Sequence, residues 1–203
     1  FFYILFLLFI SINLFATEHI IIDSKQEYSN INFENYSQNI QTLGAGGVFY
    51  VTQQGILNLG PNVVFSTNYA PNIGGAIYNL NGKVNIDSTT FVSNISSGTY
   101  QSSGGAISTS GLNIASTTFI SNETYASTSS YKRAYASGGA ICNSTDELNI
   151  FSTIFTSNIA KGSDINGYGW GGAIQNVNNK LIISSTIFSS NTANGFGYST
   201  STD

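Results

Sequence analysis

A short unit recurs five times along the chain and constrains the fold more than any other feature. Each copy opens with Gly-Gly followed by two apolar residues, which are Ala-Ile in four copies and Val-Phe in the first. Each copy closes with the pattern Phe-x-x-Asn. The second glycine and the closing asparagine of successive copies are Gly47 and Asn68, Gly75 and Asn94, Gly105 and Asn122, Gly139 and Asn158, and Gly172 and Asn191. Self-similarity of this kind is typical of repeat proteins, in which neighbouring copies stack because one copy cannot bury its apolar face alone.

Between these two motifs, each copy has two apolar residues separated by one position. This spacing places both side chains on the same face of a β-strand, and no helical period is sustained in the repeat. The pairs are Leu57/Leu59, Val84/Ile86, Leu112/Ile114, Leu148/Ile150 and Leu181/Ile183. We therefore expect an all-β protein with three short strands per copy, in which equivalent strands of successive copies pair in parallel. This is a parallel β-helix, a solenoid of about five recognisable coils, and crossover chirality favours its right-handed form.

Three columns of identical residues should run along such a helix. The phenylalanines of Phe-x-x-Asn would stack in the core, and the second glycines would leave room where identical turns meet. The closing asparagines would bond amide to amide along the axis, unless they serve only as polar turn residues. The phenylalanines are Phe65, Phe91, Phe119, Phe155 and Phe188.

Both ends of the chain differ from the repeat. Residues 1–16 are strongly apolar and predict the core of a signal peptide whose start is missing, although a buried strand is the alternative. Residues 17–43 predict an N-terminal cap or a degenerate first coil, because a stacked array needs its first edge covered. Residues 44–203 hold the repeats, and we expect the C-terminal end of the last coil to be open or truncated.

The composition excludes one class of partner and leaves one cysteine unexplained. The net charge is −4 and the pI is near 4.7, so no basic field exists to bind nucleic acid. We expect no membrane span after residue 16.

Cys142 is the only cysteine, which rules out a disulfide within the chain. It follows Ile141, so alternation predicts that it points outward as an incidental surface thiol.

The ionisable residues do not predict an active site. Glycan-cleaving β-helices need carboxylates that converge on one face. Here Asp87 has no acidic counterpart in other copies, Asp146 and Glu147 fall in a turn, and Glu123 and Asp164 belong to insertions. The single histidine, His19, excludes a histidine cluster. We therefore expect no catalytic, metal-binding or cofactor-binding residues and no cofactor.

The connection from each closing asparagine to the next glycine pair is the variable part of the repeat. It covers residues 69–73, 95–103, 123–137 and 159–170, and it is rich in tyrosine, serine and glycine. Such a composition is typical of recognition surfaces. These loops predict a ligand-binding edge, and the alternative is that they are solvated insertions whose aromatic residues fold back on the coil. The candidate residues are Tyr125, Tyr131, Lys132, Arg133, Tyr135, Tyr168 and Trp170.

The combination of Gly-Gly-Ala-Ile and Phe-x-x-Asn in one repeat resembles the polymorphic outer membrane protein repeat. The resemblance covers about residues 44–195. It implies an extracellular β-helical protein, often an adhesin, that is secreted or lies at the cell surface or outer membrane. The expected function is thus non-catalytic and adhesin-like, with a glycan or a protein on a host or neighbouring cell as partner. A fragment of a carbohydrate-active β-helix enzyme and a purely structural surface spacer are the alternatives.

Overall fold

The structure, a computed structural model, describes residues 19–37, 45–128, 132–163, 166–177 and 180–196. Within these ranges the regular elements are 26 β-strands and no helix. Every pairing between these strands is parallel. The predicted all-β, parallel β-helical fold is therefore confirmed. In this part of the chain no helix is long and apolar enough to cross a membrane.

Three main sheets of six strands each enclose the core. Sheet 1 contains β1 (Ile20–Ile22), β4 (Phe49–Val51), β8 (Ile77–Asn79), β13 (Ile107–Thr109), β18 (Ile141–Asn143) and β23 (Ile174–Asn176). Sheet 2 contains β2 (Lys25–Tyr28), β5 (Ile56–Leu59), β9 (Lys83–Asp87), β14 (Leu112–Ala115), β19 (Leu148–Phe151) and β24 (Leu181–Ser184). Sheet 3 contains β3 (Asn32–Glu34), β6 (Val63–Ser66), β10 (Thr89–Val92), β15 (Thr118–Ile120), β20 (Ile154–Thr156) and β25 (Ile187–Ser189).

The core is a set of side-chain columns that run along the stack. Apolar residues of sheet 1, the apolar pairs of sheet 2 and the phenylalanines of sheet 3 form one buried cluster through the first four repeat coils. In the last coil, Leu181, Ile183 and Phe188 are exposed. Neighbouring phenylalanine rings lie 4.7 to 5.0 Å apart and nearly parallel, and the column comprises Phe65, Phe91, Phe119, Phe155 and Phe188. Stacked rings contribute about 0.5–1.5 kcal/mol per pair beyond their area. Each coil thus depends on its neighbours for burial.

The two glycines of each pair have different roles. The first has a positive φ, as in Gly104 (65°), and supplies the left-handed turn into sheet 1. At the second, steric room is the constraint, since a Cβ on Gly105 would fall on the carbonyl oxygen of Gly139 in the next coil. The same overlap would occur at Gly47, Gly75 and Gly139, and at Gly172 a Cβ would meet the backbone of Thr192.

The closing asparagines form what we call the inner asparagine ladder, which comprises Asn68, Asn94, Asn122, Asn158 and Asn191. Asn94 Nδ2 donates to Asn122 Oδ1 at 2.9 Å and to the carbonyl oxygen of Phe65 at 3.0 Å. Asn122 Oδ1 also accepts the backbone N–H of Asn94 at 3.1 Å. The same three bonds recur at Asn68, Asn122 and Asn158. The ladder therefore satisfies buried backbone groups at each turn while it links successive coils.

The insertions are mostly strands, so the expectation of three strands per coil was wrong: each of the five repeat coils has a fourth strand, and three of them have a fifth. They build sheet 4, with β7 (Tyr69–Pro71), β11 (Ile95–Thr99), β16 (Glu123–Ser127), β21 (Ile159–Gly162) and β26 (Thr192–Asn194). They also build sheet 5, with β12 (Gln101–Ser103), β17 (Ala134–Ser137) and β22 (Gly167–Trp170). We call sheets 4 and 5 together the flange.

Among the described residues of the flange, those in its interior have small side chains. Its buried apolar cluster consists of four alanines, and Ser96 Oγ lies 2.7 Å from Ser102 Oγ across the two sheets. Two sheets that are lined with such short side chains can approach closely without leaving voids. The alanines are Ala126, Ala134, Ala136 and Ala160. The larger side chains of the flange consequently point away from its interior.

The segment before the first repeat copy contributes one more coil. Strands β1, β2 and β3 pair in parallel with β4, β5 and β6, so residues 20–34 continue all three main sheets. Its role as a protective cap stays a prediction. The predicted signal-peptide core at 1–16 lies outside the described residues.

Candidate functional site

Three of the predicted site residues lie together on the outward face of sheet 5. The ring centroids of Tyr135 and Tyr168 are 5.4 Å apart, those of Tyr135 and Trp170 are 5.0 Å apart, and those of Tyr168 and Trp170 are 6.4 Å apart. Trp170 is 44% exposed. We call these three residues the aromatic cluster.

Strand alternation and register produce this cluster. Ala134 and Ala136 point into the flange, so Tyr135 between them points outward. Tyr135 pairs with Tyr168 of the next coil, and Trp170 lies two residues further along the same strand. Tyr135 and Tyr168 come from insertions of different lengths, and they meet because parallel pairing aligns their strands. The lengths of the insertions alone do not predict this contact.

A cation lies beside the cluster. The Arg133 guanidinium is 5.8 Å from the centre of the Tyr168 ring. A hydrogen bond with Tyr135, followed by the charge interaction with Tyr168, raises the pKa of Arg133 above its usual range. The arrangement combines apolar ring surface with hydrogen-bond donors, which is the chemistry of an adaptable binding surface.

The other predicted residues do not join this cluster. Tyr125 points outward from sheet 4, on the opposite side of the flange, with Lys161 Nζ 5.7 Å from its ring centre. Lys132 lies over Tyr100, at 5.2 Å from that ring centre. Tyr131 lies outside the described residues. The six candidates that the structure describes thus occupy more than one surface, and the role of all seven in binding stays a prediction.

Cys142 is not the surface thiol that alternation predicted, because it is only 7% exposed. It follows a core residue and points away from the core, but the flange covers it, and Ser103 of sheet 5 hydrogen-bonds to the thiol. Burial raises the pKa of Cys142 to about 11, and the Ser103 hydrogen bond lowers it by less. The side chain therefore marks the junction between the flange and sheet 1.

A second surface was missed from the sequence, although its signal is present there. The middle residue of the apolar pair is asparagine in four copies: Asn58, Asn85, Asn113 and Asn149. These side chains point outward from sheet 2 and bond to one another, with Nδ2 to Oδ1 distances of 2.8 to 3.1 Å. We call this column the outer asparagine ladder.

The described ionisable residues form two ion pairs and no cluster suited to a metal ion. Lys25 Nζ is 2.7 Å from Glu27 Oε1, and their hydrogen bond holds the pKa of Glu27 below its usual value. His19 stacks on Tyr50 with ring centroids 5.4 Å apart. Among residues whose positions the structure describes, no three His, Cys, Asp or Glu side chains come close enough to hold a metal ion.

One stretch of the chain matches a known protein family. Residues 62–80 match the model of the Chlamydia polymorphic membrane protein (Chlamydia_PMP) repeat. The stretch runs from the residue before β6 to the residue after β8 and includes Phe65, Asn68 and Gly75. This match confirms the resemblance on which the sequence interpretation relied. Comparison with curated proteins and with solved structures finds no significant match.

Proposed function

We propose, from the polymorphic membrane protein repeat at 62–80, that the protein is a non-catalytic, adhesin-like protein of the cell surface or the secreted fraction. The β-helix and the repeat match are consistent with a surface protein of this kind. The main sheets serve as the stalk, and the flange displays the recognition surface.

The observation that carries this proposal is the aromatic cluster beside Arg133. Large rings on a sheet face lose little conformational freedom when they bind, and aromatic and arginine residues dominate protein interfaces. The aromatics arise in insertions, where the repeat imposes no residue type. A protein or a glycan on another cell is the class of partner that suits this surface.

The test is binding of the purified protein to arrays of glycans and of extracellular proteins. Wild type should bind at least one partner, and Tyr168→Ala combined with Trp170→Ala should weaken that binding by about tenfold or more. Tyr125→Ala is the matched control, because it removes the same ring from the opposite side of the flange.

Two outcomes would contradict the proposal. Binding that survives the double substitution and is lost with Tyr125→Ala would move recognition to sheet 4. Failure to bind any partner on either array would favour the structural spacer.

Surface display has its own test. Antibodies against the flange should stain intact source cells, or should detect the protein in the medium. Staining that requires permeabilised cells would contradict the proposed location.

A further inference from the structure

The outer and inner asparagine ladders use their amides differently. An asparagine amide offers two N–H donors and a carbonyl oxygen with two acceptor positions. In the inner ladder, Asn94 donates both N–H groups and its Oδ1 accepts two bonds. In the outer ladder, Asn85 donates once to Asn58 and accepts once from Asn113. Within the described chain, half of its hydrogen-bonding capacity therefore faces solvent.

This unused capacity repeats along the helix axis. Asn113 likewise donates to Asn85 and accepts from Asn149. Because equivalent strands lie about 4.8 Å apart, the outer ladder offers one free donor and one free acceptor at that spacing. A ligand with regularly spaced hydroxyl groups can bond to several of these amides at once.

A shallow groove of about 300 Å³ runs beside the outer ladder. Parallel register places Asp87, Ala115 and Phe151 in one column next to the asparagines. The small side chain of Ala115 leaves space between the Asp87 carboxylate and the Phe151 ring, and Phe151 is 43% exposed. The groove thus joins a hydrogen-bonding row to an apolar ring.

The charges along this face balance. Lys25 pairs with Glu27, and Lys180 pairs with Glu147 at 3.2 Å. Lys83 and Asp87 lie on opposite sides of Asn85 in the same strand. The face therefore has no field that would attract an anionic or cationic polymer, and an uncharged ligand suits it best.

We propose that the outward face of sheet 2 binds a linear, uncharged glycan along the helix axis. Sugar hydroxyls both donate and accept, as the free positions of Asn85 and Asn113 require, and the C–H face of a sugar ring packs on Phe151. An extended peptide is a poorer occupant, because it binds by adding to a sheet edge and β9 and β14 are paired on both sides.

The site is separate from the aromatic cluster, so the two proposals can fail independently. The test uses the full chain and a panel of uncharged linear hexasaccharides (glucan, mannan, xylan and galactan), with an oligouronate for comparison. Isothermal titration calorimetry measures Kd. At least one uncharged member should bind more tightly than about 1 mM, and the oligouronate should bind more weakly.

Substitutions then locate the binding. Phe151→Ala should weaken it about tenfold, because the variant removes the exposed ring on which the sugar packs. Asn85→Ser combined with Asn113→Ser should weaken it at least as much, with the fold verified by circular dichroism. Ile154→Ala is the matched control, because it removes an exposed apolar side chain from sheet 3 of the same coil.

Three results would overturn this proposal. The first is no binding by any uncharged hexasaccharide. The second is binding that Phe151→Ala and the double serine variant leave unchanged. The third is binding that is lost only when Tyr168 and Trp170 are replaced, which would assign the glycan to the aromatic cluster and support the proposed function instead.

Discussion

The main core and the flange both stack equivalent side chains of successive coils, but the side chains differ in size. The main core stacks phenylalanine, isoleucine and leucine, whereas the flange stacks alanine, serine and glycine. Buried apolar area contributes about 25 cal/mol per Å², so nearly all of the hydrophobic stabilisation lies in the main core. The flange is the thinner part, and its large side chains remain on its surface. The main core therefore stabilises the stack, whereas the flange exposes the aromatic and charged side chains that are candidates for binding.

The largest expected effect comes from removing one ring of the phenylalanine column. Phe119→Ala leaves a cavity between Phe91 and Phe155 and should lower the free energy of unfolding by about 3–5 kcal/mol. Ala136→Gly in the flange should cost only about 0.5–1 kcal/mol. Urea unfolding followed by circular dichroism measures both. Equal losses would show that the flange contributes as much to stability as the main core.

Substitutions in the two asparagine ladders should also lower the free energy of unfolding by different amounts, but the difference should be smaller. Asn122→Ala removes bonds to Asn94 and to the carbonyl of Phe91 and leaves buried groups unpaired, at a cost of about 3 kcal/mol. Asn113→Ala breaks exposed hydrogen bonds, and water can bond to the groups that are left. It should therefore lower the free energy of unfolding by less than about 1 kcal/mol. The same urea titrations apply. A cost at Asn113 equal to that at Asn122 would contradict the distinction between the ladders.

Local opening of the flange should be visible at Cys142. A maleimide should label this thiol much more slowly in the native protein than in urea, because sheet 5 covers it. Ala136→Val overpacks the flange interior, so it should speed the labelling with little change in the urea midpoint. If labelling follows only global unfolding, the flange and the main core open as one unit.

The burial of Cys142 should also make the stability of the protein depend on pH. Burial raises the pKa of the Cys142 thiol from its ordinary value of 9.0 to about 11 in the folded state. The native state therefore keeps its proton where the unfolded state loses it. The resulting stabilisation is fully present below about pH 9 and is lost as the pH rises towards 11. Cys142→Ser should remove this part of the pH dependence, and an unaltered stability profile between those values would contradict the buried thiol.

Much of the fold could be predicted because identical residues recur at matching positions. The shared position of Phe65 and Phe91 in the repeat predicts that they stack in one column. The outer ladder could have been found in the same way, since Asn85 and Asn113 also share a position. The aromatic cluster could not, because the insertions that hold Tyr135 and Trp170 differ in length. Nor could the burial of Cys142, which depends on where sheet 5 lies.

The sequence by itself determined the stacked coils, their parallel register and the columns of glycine, phenylalanine and asparagine. It could do so because the repeat carries its own alignment, and stacking equivalent residues buries the most surface. Only the tertiary structure decided that the insertions become strands and that Tyr125 and Tyr135 lie on opposite sides of the flange. The physical reason is the chain reversal between sheets 4 and 5. It places Ala126 of sheet 4 and Ala136 of sheet 5 in one buried cluster, and strand alternation then directs their neighbours outward in opposite directions.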